Sequence, residues 1–89
     1  MHAVVINVTV NDEESARAGL RDQIVPQVSS APGFIAGYWV RLSGDKGAAT
    51  IAFESEDAAQ KAAEMIRGDP RGEAVTMDSV EVGEVVANA

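Results

Sequence analysis

The chain has 89 residues, no cysteine, and 14 acidic against 7 basic side chains, for a formal net charge of −7. That length makes one domain, 1–89, and a chain so short buries only about 60 to 65% of its unfolded surface, so a lone monomer is marginally stable. The negative charge argues against nucleic acid and against anionic membrane surfaces as partners. The longest apolar run, Ala3 to Ile6, is too short to span a bilayer.

No basic segment followed by an apolar stretch opens the chain, and the lack of thiols suits a reducing compartment, so the expected location is the cytoplasm. A single histidine, His2, gives no metal site. With disulfides and metal set aside, association with a second copy becomes the expected stabiliser.

His2 to Val10 is rich in β-branched residues and ends at Asn11-Asp12, which predicts a first strand. Val4, Ile6, Val8 and Val10 share one face; Ala3, Val5, Asn7 and Thr9 share the other. Apolar residues on both faces imply that both sides of the sheet are covered.

Asn11 or Asp12 caps the next helix, whose first turn carries acidic residues suited to its positive dipole end. Ala16, Leu20, Ile24 and Val28 recur at helical spacing, and Pro26 within that pattern should kink the helix or end its regular part early. Ala31-Pro32-Gly33 terminates it.

Phe34 to Leu42 predicts a second strand, with Phe34, Ala36, Tyr38, Val40 and Leu42 on one face and Ile35, Gly37, Trp39 and Arg41 on the other. Gly44-Asp45-Lys46-Gly47 supplies a hairpin turn, and Ala48 to Glu54 returns as a third strand. Ser55 caps a second helix with Glu56 and Asp57 in its first turn and an unusually small stripe of Ala59, Ala62, Ala63 and Ile66. Gly68 ends it, an irregular loop follows to Thr76, and Ser79 to Val86 predicts a fourth strand.

The order is βαββαβ: an α+β, ferredoxin-like domain. It has a four-stranded antiparallel sheet of order 4-1-3-2 and two helices on one face. A monomer would leave the other face wet, although it carries Val5, Val85 and one of Trp39 and Tyr38. A homodimer built sheet against sheet resolves that conflict.

At V-V-I-N-V in the first strand, P-G-F-I-A-G-Y at the helix-to-strand joint and F-E-S-E-D-A-A-Q-K-A-A opening the second helix, the chain resembles the antibiotic biosynthesis monooxygenase-like family of dimeric α+β barrels. The resemblance covers roughly Ala3 to Ala63. It implies two sheets packed face to face and a pocket between each sheet and its helices. The nearest-looking branch, the heme-degrading oxygenases, shares the strand asparagine, here Asn7. That branch places a tryptophan in the second helix where this chain has Ala62, and an iron-binding histidine after it where this chain has none. Heme iron needs an axial donor, and Met65, Met77 and Tyr38 are poor substitutes, so no heme and no other cofactor is expected.

Four residues are candidate ligand contacts. Asn7 is a lone amide in an apolar strand, able to hold a carbonyl or phenolate oxygen, or equally to bond within the sheet. Trp39 and Arg41 share a face, where stacking and charge would clamp a flat anion; the same pair also suits the rim of a subunit interface. Tyr38 is either a proton or hydrogen-bond donor or a core residue. Lys61, Arg67 and Arg71 gather near the end of the second helix, a weak anion site. Arg67-Gly68-Asp69 is a chance motif.

With no cysteine, no central histidine and no serine elbow, nucleophilic catalysis has no support. Two readings follow. One is a non-catalytic homodimer that binds a small hydrophobic or aromatic molecule between sheet and helices. The other is a cofactor-independent monooxygenase-like enzyme acting on a small aromatic or quinol-like substrate.

Overall fold

The computed structural model describes residues 1–68 and 75–89. Strand β1 (His2–Val10) leads into helix α1 (Glu13–Gly19), a π-helical turn (Leu20–Ile24) and helix α2 (Val25–Ser29). Strands β2 (Phe34–Arg41) and β3 (Lys46–Phe53), helix α3 (Glu56–Gly68) and strand β4 (Val75–Glu84) complete the order. The sheet runs β2-β3-β1-β4 with every pairing antiparallel, the predicted ferredoxin-like arrangement. The predicted loop after Gly68 lies largely outside the described residues, as does Arg71.

Local chemistry explains the boundaries. Asp12 caps α1, its Oδ1 accepting the Ser15 N–H at 3.2 Å, and Ser55 caps α3, its Oγ accepting the Ala58 N–H at 3.2 Å. Pro26 has no N–H to give Asp22 and its ring would crowd that carbonyl. The backbone answers by widening just before it: the Val25 N–H reaches five residues back to the Leu20 carbonyl. Gly33 turns the chain at a φ of 82° where a Cβ would also stand 2.9 Å from that of Ala58, so glycine is required twice over.

The core lies between the sheet and the helices. Val4, Ile51 and Phe53 are fully buried against Ala59 and Ala63, and Phe34 meets Phe53 edge to face with ring centroids 6.1 Å apart. The small α3 stripe lets that helix settle closely onto β1, β3 and β4.

Two bulges correct the predicted faces. In β2 the register slips between Phe34 and Ala36, which places Phe34 opposite Phe53 on the helix side while Ala36 and Tyr38 stay on the open side. In β4 the slip lies opposite Asn7 and Val8, so Met77 and Val80 both join the core. The extra residue, Asp78, takes a hydrogen bond from Thr9 Oγ1 at 2.8 Å. β4 therefore begins at Val75 rather than Ser79, since a bulge breaks the alternation by which its first four residues would have been read as strand.

Candidate functional site

A cavity of about 320 Å³ lies between the sheet and the α1–π-turn segment. Its walls come from small residues on both sides. Gly47 and Ala49 of β3 and Ala16 and Gly19 of α1 all line it; a Cβ at Gly19 would meet nothing within 4 Å, whereas one at Gly47 would meet Val8 Cγ2 at 3.1 Å. Ile6, Val8, Leu20, Ile24, Ile51 and Met77 belong to its apolar wall.

Trp39 and Arg41 both line this cavity, because Trp39 pairs with Ala49 and Arg41 with Gly47 on the helix side of the sheet. The indole lies back over Gly37. A Cβ there would come within 2.9 Å of Cη2, so the glycine makes room for the ring.

The mouth is charged. Glu13 Oε1 accepts from Arg17 Nη2 at 2.8 Å, one turn along α1, and the same oxygen accepts from Arg41 Nη1 across the opening. Arg41 Nη2 donates to the Gly44 carbonyl at 2.7 Å, which fixes the guanidinium from its other side. The hydrogen bond from Arg41, and then its charge, hold the Glu13 carboxyl below the usual carboxylate range. The arrangement is an apolar chamber closed at one end by a salt-bridged rim.

Asn7 and Tyr38 stand on the opposite face of the sheet. Asn7 alternates with the buried Val4 and Ile6, and its Nδ2 donates to Ser79 Oγ on β4 at 3.1 Å. Tyr38 pairs with Thr50, as Val5 does, and is 69% exposed. The four candidates thus divide into a cavity pair and an open-face pair. In the sequence Glu13 is one acidic residue of a capped first turn and Arg17 carries no signal of its own; their link to Arg41 depends on how the helix crosses the strand ends.

The open face has two halves. Around β2 it is apolar, with Val40 and Leu42 exposed beside Tyr38. Towards β4 it is polar: Lys46 Nζ donates to Thr9 Oγ1 at 2.8 Å, Thr9 in turn donates to Asp78, and Glu81 stands opposite Val5.

The class is now fixed by topology: a ferredoxin-like α+β fold with one helix-covered face and one open face. Among solved structures the chain is similar to HapK from Hahella chejuensis, with a TM-score of 0.70 at 13% identity over 100% of this chain and 96% of that one. It is similar to a dimeric ferredoxin-like protein from an uncultured marine organism, with a TM-score of 0.66 at 13% identity over 100% and 98% of the two chains. It is also similar to an arginine-to-serine mutant of MhuD with two manganese protoporphyrin IX molecules bound per active site, at a TM-score of 0.68 and 18% identity over 100% and 98%. At these identities the likeness is one of fold, and the resemblance to the antibiotic biosynthesis monooxygenase-like proteins holds at that level. No protein-family model matches the chain, and no curated protein matches it in sequence.

The residues present do not fit a heme. Among the described residues the cavity wall offers Met77 as a thioether donor, while Tyr38 lies on the far face and His2 lies beside Glu56. The volume sits at the lower end of small-molecule pockets, the size for a compact guest rather than a macrocycle.

Proposed function

We propose that the protein is a homodimeric α+β barrel that binds a small, largely hydrophobic molecule in the cavity beneath α1, without catalysing its conversion. The cavity itself carries this reading. Native cores are filled at crystal-like density, and a void of this size, walled by small residues and rimmed by placed polar groups, matches what ligand pockets look like. Its polar groups gather at the mouth rather than around the apolar chamber, which suits capture better than chemistry. Asn7, the amide an oxygenase would use, faces the other way.

The open face supports the dimer. Tyr38, Val40 and Leu42 form an apolar area beside the polar pairs of β1, β3 and β4, and those pairs carry their own hydrogen-bond partners into an interface.

Trp39 is the chain's one tryptophan, so its emission reports on the cavity. Titration with 1-octanol should change that emission saturably, with one molecule bound per chain. Ala16→Leu, which fills the chamber from a helical position that favours leucine, should abolish the change. Light scattering at micromolar concentration should give twice the mass of the chain. An emission that drifts linearly in both proteins would refute the ligand reading, and a single-chain mass would refute the dimer.

A further inference from the structure

The mouth of the cavity carries more positive charge than its own geometry uses. Two guanidiniums, Arg17 and Arg41, converge on one carboxylate oxygen, Glu13 Oε1. Arg41 spends a second donor on the Gly44 carbonyl, and each guanidinium has five. A surplus cation at an apolar opening is notable in a chain whose net charge is −7.

Both arginines belong to the cavity wall, and so do the buried Ile6, Ile24 and Ile51 further in. The arginines therefore offer planar forked donors suited to a carboxylate, and the isoleucines offer hydrocarbon to a tail. The geometry points to an amphipathic monocarboxylate as the natural guest, its tail in the chamber and its carboxylate taking over the arginine donors that Glu13 now shares. An alcohol of equal length would gain the hydrophobic contacts and none of the charge-assisted bonds. An amine would meet two like charges. Glu13 is a built-in competitor, since it is ionised and occupies the donors the guest needs.

This inference rests on the reading of the cavity as a ligand site, and the test separates the two. Octanoate, 1-octanol and octylamine are titrated by calorimetry at neutral pH against the wild-type protein, Arg41→Gln, Arg17→Gln and Glu13→Gln. Octanoate should bind at least tenfold more tightly than 1-octanol, and octylamine most weakly. The octanoate-to-octanol ratio should fall toward one in Arg41→Gln, fall by a smaller factor in the more exposed Arg17→Gln, and rise severalfold in Glu13→Gln. Equal affinities for the three probes, or a ratio that Arg41→Gln leaves intact, would overturn the assignment of the guest while sparing the cavity as an apolar site. Failure of all three probes to bind would overturn the ligand site and this inference together.

Discussion

Under α3, small residues on the helix meet large ones on the sheet; under α1, small residues meet small. Ala59, Ala62 and Ala63 are buried in the same core as Val4, Ile51 and Phe53, and the gap closes. Ala16 and Gly19 of α1 and Gly47 and Ala49 of β3 all line the cavity, and there the gap stays open. The composition of either surface alone gives no warning of this. What decides between core and pocket is how the sizes pair across the layer.

Three sets of substitutions probe that contrast, beginning with the largest effect. Phe53→Ala removes the ring that fills the α3 side and should cost about 3–5 kcal/mol, enough to leave a domain of this size barely folded in a urea melt. Ala63→Leu overpacks the same side and should cost about 1–3 kcal/mol. Ala16→Leu adds the same side chain to the other helix and should instead stabilise by about 0.5–1 kcal/mol, because it fills space. Opposite signs for these two alanines would confirm the contrast; a similar loss at both would mean the α1 side is already closed.

Much of this architecture is legible in the residues. The alternation of β1 groups Val4 with Ile6 and sets Asn7 on the other face, while which face meets the helices follows only from the structure, where Val4 and Ile6 are buried. The caps at Asp12 and Ser55 and the alanine stripe of α3 are equally local signals. Phe34 and Val75–Asp78 were not legible, because a bulge shifts parity by one and leaves no mark in the sequence on either strand. The rim joining Glu13, Arg17 and Arg41 was half legible: Arg41 stood out on a strand, but its carboxylate partner comes from a helix that crosses the strand ends.

Smaller effects separate the two faces of the sheet. Asn7→Ala should cost only about 0.5–1 kcal/mol in a thermal melt, the worth of one hydrogen bond to Ser79, and should leave 1-octanol affinity unchanged. At the rim, Glu13 has a carboxyl pKa lowered in the folded state by Arg41. The sign follows: its contribution to stability is complete above the unfolded value of about 4.3 and is lost as pH falls through the lower folded value. The stability gap between wild type and Glu13→Gln should be constant from about pH 6 to 8 and shrink only in acid.

The most direct test of the central claim is a methyl-resolved NMR titration with 1-octanol, which reads both faces of the sheet at once. Saturable shifts are expected at Ile6, Val8, Leu20 and Ile24, with the Val5 methyls on the opposite face unmoved. Shifts confined to Val5, or no saturable shift at all, would contradict a guest between sheet and helix.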